Sequence, residues 1–160
     1  MIIRWLIVNS VTILLIVIWS QIQGYDSNYI LLGKIVAQAA FILYLINLNM
    51  YFVFLLIRKS KIRAVKIKLA KISKKMMKYH VSIAITATIL VFGHAGIMLY
   101  AHFGKLWIPK TISGTVLIGI LGFLLFSGML RRWKSTGNRR KFHYSMAFIF
   151  FGFVFLHVFI

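Results

Sequence analysis

Five long apolar segments, separated mainly by basic connections, constrain this 160-residue chain more than any other feature: residues 5–20, 31–57, 80–103, 106–130 and 142–160. Crossing a bilayer core takes ~20 apolar residues. Without water, the chain must satisfy its backbone polar groups internally, and a continuous apolar segment does so as a helix. The expected fold is therefore all-α: a polytopic membrane bundle of five transmembrane helices. The first segment is the shortest, with Trp5 and Trp19 near its ends as interfacial anchors. Ser20-Gln21-Ile22-Gln23 offers no small-residue cleavage site and only Arg4 precedes the segment, so a retained span is expected rather than a signal peptide. With 61% hydrophobic residues, too little polar sequence remains for a separate soluble domain. The chain has no cysteine, which excludes disulfides, thiolate metal sites and iron–sulfur clusters.

Charge then orients the segments. Twenty Lys/Arg face a single acidic residue, Asp26. Ten of the basic residues lie in 58–78 and six in 131–141, and with Arg4 they place 17 of 20 on one side. Only Lys34, Lys105 and Lys110 fall on the other. The positive-inside rule makes this an N-in, C-out arrangement, in keeping with a bacterial plasma membrane. A nucleic-acid partner is not expected, because no basic stripe sits on a soluble face. A proton-coupled transporter is disfavoured, because no span carries Asp or Glu. Within 58–78, Ile62, Val65, Leu69, Ile72 and Met76 recur at helical spacing among lysines. That pattern predicts an amphipathic cytoplasmic segment at the interface, with membrane lipid as its main partner and a docked protein as the alternative. The segment 131–141 is too polar and too short to fold alone.

Four of the five histidines form two pairs of identical spacing, His80/His94 and His143/His157, fourteen residues apart. Fourteen residues are close to four helical turns, so each pair shares one helix face over ~21 Å. In the N-in, C-out arrangement the third and fifth spans run in the same direction. Equal spacing then becomes equal depth: His80 matches His143 at the inner level, and His94 matches His157 at the outer. Two neutral imidazoles are what the iron of a b-type haem takes as axial ligands. The expected site residues are His80 and His143 for an inner haem and His94 and His157 for an outer one. Ala84, Ala87 and Val91 lie on the ligand face of the third span and Ala147, Phe150 and Val154 on that of the fifth. Phe150 falls midway between the levels, where it could fill the space between two haems. Small residues at these places are equally natural in ordinary membrane helix packing. His102 reads as a solvated residue near the outer surface, or as a contact for a propionate or an outer acceptor. Lys78, Arg132, Arg139, Arg140 and Lys141 could meet inner propionates, although topology alone accounts for most of them. No catalytic side chain is expected.

Paired histidines with thirteen residues between them on the third and fifth spans, a basic stretch before each, and Trp133 leading into Lys141-Phe142-His143-Tyr144 resemble the ferric reductase-like transmembrane domain. That family includes the NADPH oxidases and the haem-bearing membrane subunit of bacterial methionine sulfoxide reductase systems. The resemblance covers nearly the whole chain, in spacing and topology more than in residue identity. It implies two haem b groups ligated by His80, His94, His143 and His157, with electrons passing from inside to outside. The sequence departs from the family in carrying no sixth span and no flavin or nicotinamide domain. The donor is therefore expected on a separate cytoplasmic flavoprotein, or to be a membrane quinol, with an acceptor at the outer face. A non-haem accessory subunit and a small transporter with packing histidines are the competing expectations.

Overall fold

A computed structural model describes residues 2–104 and 107–160, with side chains from Ile7 onward. Lys105 and Leu106, the latter the expected start of the fourth span, lie outside the described residues, as do the side chains of Arg4 and Trp5. The described residues are all-helical, with 89% of them in helices. The helices are α1 (Ile2–Ile22), α2 (Asn28–Lys59), α3 (Arg63–Ala101), α4 (Pro109–Trp133) and α5 (Gly137–Phe159). Four of them, α2 to α5, are long and apolar enough to cross a membrane; α1 is shorter, with a described apolar stretch over Ile7–Ile22. The residues fall into two compact units, Met1–Ala101 and His102–Ile160.

In the first unit, α2 and α3 form an extensive antiparallel hairpin to which α1 adds a sparser contact with α2. Helix α1 ends where Gly24 takes a left-handed φ of 63°, a conformation glycine adopts without steric cost. The Lys34 ammonium on α2 donates to the carbonyls of Ser20 and Gly24, supplying cation and donors to the negative end of α1. Ser27 caps α2, its hydroxyl accepting from the Ile30 amide at 3.3 Å. Between α1 and α2, the Asn49 amide donates to Asn9 Oδ1 at 2.9 Å. The core of this unit is chiefly α2's apolar stripe, with Ala40, Phe41, Leu45, Leu48 and Val53 all buried.

Helix α3 departs from expectation. The segment 58–78 is not a helix of its own: Arg58 and Lys59 complete α2, and α3 then runs unbroken for 39 residues. At 1.5 Å per residue it is about 58 Å long, roughly twice the hydrocarbon thickness. No proline or glycine interrupts 63–92, so nothing stops the helix where the sequence turns from basic to apolar. Of the anticipated apolar stripe, Val65, Leu69 and Met76 are half-buried while Ile62 and Ile72 are exposed. The inward face of α3 runs instead through Val65, Leu69, the buried Ser73 and Met76 to His80. On the outer face Ile85, Ile89 and Phe92 stand more than half exposed, an apolar surface of the kind lipid covers.

The second unit is the antiparallel hairpin of α4 and α5. The expected loop 131–141 shrinks to the three residues between Trp133 and Gly137, because both helices extend into it. Thr136 caps α5 by accepting from the Arg139 amide, and the Arg139 guanidinium donates to the carbonyls of Leu130 and Lys134. That side chain, a candidate propionate partner from sequence, closes the C-terminal end of α4. Leu117, Leu121, Leu124 and the fully buried Ser127 form the inward stripe of α4, and Phe150 is the buried residue of α5.

Candidate functional site

The register of the two hairpins decides what the histidines meet. Antiparallel packing places position 47 of α2 beside position 80 of α3, and four turns away position 33 beside position 94. The His80 Nδ1 lies 3.1 Å from Asn47 Oδ1, while the Asn47 amide donates to the His80 carbonyl at 3.1 Å. The His94 Nδ1 lies 2.9 Å from the carbonyl oxygen of Gly33. In α4 and α5 the same register pairs position 127 with 143 and 113 with 157. The His143 Nδ1 is 2.8 Å from Ser127 Oγ, and the His157 Nδ1 is 2.8 Å from Ser113 Oγ.

These partners bear on where each ring proton sits. The Gly33 carbonyl only accepts, so the His94 Nδ1 donates. The Asn47 amide is oriented by its own bond to the His80 carbonyl, which turns Oδ1 toward the ring and makes the His80 Nδ1 the donor. Each serine gives its single hydrogen to the carbonyl three residues before it, Ser127 to Leu124 at 2.6 Å and Ser113 to Lys110 at 2.9 Å. Its oxygen is left to accept from the imidazole. The neutral His80 and His94 rings therefore hold their proton on Nδ1, and the His143 and His157 rings do so whenever the serine hydrogens point to the carbonyls.

On α4 the serines act together with the glycines that follow them. A Cβ added at Gly114 would stand 3.2 Å from His157 Cε1, and one at Gly128 would stand 3.4 Å from His143 Cε1. Each Ser-Gly dipeptide thus holds one ring by a hydroxyl and leaves room for its edge. Gly33 on α2 serves differently, since a Cβ there would meet Met98 Sδ at 2.8 Å rather than the imidazole. Lys110, at the start of α4, donates to the Val158 carbonyl next to His157 at 3.0 Å.

Phe150 lies seven residues from both histidines of α5, and Ala87 seven from both of α3; both are buried. His102 is half-buried in the turn after α3. Lys78, another candidate propionate partner, sits over the Tyr79 ring at 5.6 Å from its centroid.

Asn47, Gly33, Ser113 and Ser127 were not among the residues singled out from sequence, yet a signal for them exists. Asn47 and Gly33 are fourteen residues apart on the second span, and the Ser-Gly dipeptides 113–114 and 127–128 repeat the same interval on the fourth. Among the described residues, no three His, Cys, Asp or Glu gather into a group able to hold a bare metal ion. No protein-family model, curated protein or solved structure matches this chain.

Proposed function

We propose that this chain is a five-span, N-in/C-out membrane cytochrome b of the cell membrane, similar to the ferric reductase-like type. In this reading it binds two b-type haems, His80 with His143 at the inner level and His94 with His157 at the outer. The observation that carries the reading is that the Nδ1 of each of the four histidines lies within hydrogen-bond distance of an oxygen on the partner helix of its hairpin. A histidine that ligates a metal through Nε2 characteristically gives its Nδ1–H to a carbonyl or another acceptor, which fixes the ring and raises its basicity. An oxygen able to accept stands beside the Nδ1 of each of the four rings, at an interval of fourteen residues within each hairpin. Histidines that only pack have no need to repeat this contact at one interval on both hairpins.

When bound, the haems supply one-electron chemistry; the protein supplies position, polarity and access. Asn47, the Gly33 carbonyl, Ser113 and Ser127 would orient the ligands, and in this reading the buried Phe150 would lie between the two haems. Electrons would enter from a cytoplasmic flavoprotein or a membrane quinol and leave to an outer-face acceptor. The basic face of α3, from Arg63 to Lys78, offers charge complementarity to an acidic donor.

An optical spectrum tests the proposal directly. The purified, dithionite-reduced chain should show the Soret and α bands of haem b, with two haems per chain by pyridine haemochromogen assay. A reduced protein without these bands overturns the reading. A single haem per chain overturns the two-level pairing.

A further inference from the structure

We infer that the two histidine helices are unequal: His80 and His94 on α3 are anchoring ligands, whereas His143 and His157 on α5 are the exchangeable ones. The inference rests on the bis-histidine reading above and adds a division of labour that equal spacing does not contain. With a haem bound, displacement of an exchangeable histidine would let a neutral π-acceptor such as carbon monoxide take its place.

The difference lies in what holds each Nδ1. The peptide carbonyl of Gly33 has no hydrogen to give, so moving the His94 proton to Nε2 would set two lone pairs against each other at 2.9 Å. Asn47 locks His80 in a similar way, because turning its amide to offer Nδ2 to the ring would face Oδ1 with the His80 carbonyl. Neither α3 ring has a low-cost alternative to the ligating tautomer.

A serine hydroxyl is different, because it both donates and accepts and its hydrogen rotates. If the Ser127 hydrogen swings from the Leu124 carbonyl to His143 Nδ1, the 2.8 Å contact survives with the ring proton on Nε2. The Ser113 hydrogen can swing from Lys110 to His157 in the same way. In that state Nε2 carries a hydrogen and cannot ligate. The rotation gives up one serine-to-carbonyl bond within the helix and gains one to the ring. Acceptor strength points in the same direction. An amide carbonyl draws more on the Nδ1–H than a hydroxyl oxygen does, so the α3 imidazoles are the stronger donors to a metal.

Two measurements on the full chain test this. In haem-free protein, 15N NMR should show His80 and His94 protonated on Nδ1 alone, with His143 and His157 exchanging between Nδ1 and Nε2 forms. A single fixed tautomer at all four rings, or exchange at the α3 rings, overturns the inference whatever the haem content. In haem-loaded protein, H143A and H157A should each keep two haems, one newly able to bind carbon monoxide when reduced, while H80A and H94A each lose a haem. Equal losses from both helices, or the reverse pattern, overturn it. Because a histidine deletion can disturb folding, S113A and S127A keep all four rings in place. Each should raise carbon monoxide affinity at one level about tenfold or more, within the range such supporting contacts command. An unchanged affinity would count against the exchangeable role. A wild-type chain with no haem bands refutes the cytochrome reading; a di-haem wild type with symmetric variants refutes only this inference.

Discussion

The α2–α3 hairpin and the α4–α5 hairpin solve one problem with different chemistry. Both present two imidazoles at an interval of fourteen residues, and both seat each Nδ1 on the partner helix at the matching register. In the first hairpin the acceptors are a side-chain amide and a backbone carbonyl, and the nearby glycine opens onto a methionine. In the second they are two serines, and the glycines open onto the rings themselves. What the two share is position along an antiparallel pair rather than residue type. Many side chains supply an acceptor, but one geometry places it opposite a histidine at two depths.

The comparison is most strongly tested at Ser127, which has no exposed surface. Ser127→Leu overfills a packed helix interface and leaves the His143 Nδ1–H without its acceptor. Overpacking costs about 1–3 kcal/mol and an unsatisfied buried donor about 1–3 more, so a loss of about 2–6 kcal/mol is expected. Detergent-induced unfolding of the full chain followed by circular dichroism would measure it. Ser113 is only half-buried, so Ser113→Leu should cost distinctly less. Equal losses would mean that hydrogen bonding, not packing, dominates at both sites.

Asn47 probes the other hairpin at smaller cost. Asn47→Leu keeps the volume but removes both bonds to His80, leaving one donor in need of a partner. The His80 carbonyl retains the bond within its helix, so the loss is chiefly that of the ring and amounts to about 1–3 kcal/mol. His80 should also lose its fixed tautomer in 15N NMR while His94 keeps its own. A change at His94 would show that the two levels of this hairpin are not independent.

Helix existence and type were legible in the sequence because apolar runs of this length leave little alternative. Helix ends were not. The basic residues of 63–78 and 131–141 are good helix formers, and charge marks a position relative to a membrane without breaking a helix. The histidine pairs stood out by interval, but their supports did not. Serine and glycine in an apolar span are ordinary packing residues until antiparallel register sets Ser127 against His143. The Gly33 contact was harder still, because a backbone carbonyl carries no residue-type signal at all.

The three helix glycines separate the hairpins in sign as well as size. Alanine in a helix interior gains about 0.5–1 kcal/mol over glycine when the site has room. Gly33→Ala would press on Met98, whose thioether chain is flexible enough to move, and on the stiffer Ile97 at 3.3 Å, which offsets the helix gain, so its stability should stay within about 0.5 kcal/mol of wild type. Gly128→Ala makes an ordinary contact with His143 and should be neutral or slightly stabilising. Gly114→Ala comes within 3.2 Å of a ring already tied to the adjacent Ser113, so the imidazole cannot swing away without stretching that bond. A loss of about 1 kcal/mol is expected there, with a shift of the His157 ring resonances. If Gly33→Ala proved the costliest of the three, the α2 face would be the more rigid template and the comparison would reverse.

The smallest expected effect concerns α1, which takes no part in either histidine register. Besides the Lys34 cap on its end, a hydrogen bond from Asn49 to Asn9 joins it to α2. Polar pairs between membrane helices average about 0.6 kcal/mol, because each partner finds other acceptors when separated. Asn49→Leu should therefore lower stability by about that amount and leave all four histidine tautomers as they are. If the His80 ring changed its tautomer, two residues along the same helix from the substitution would be enough to disturb the register. The α2–α3 hairpin would then depend on α1 for a geometry that α4 and α5 hold between themselves.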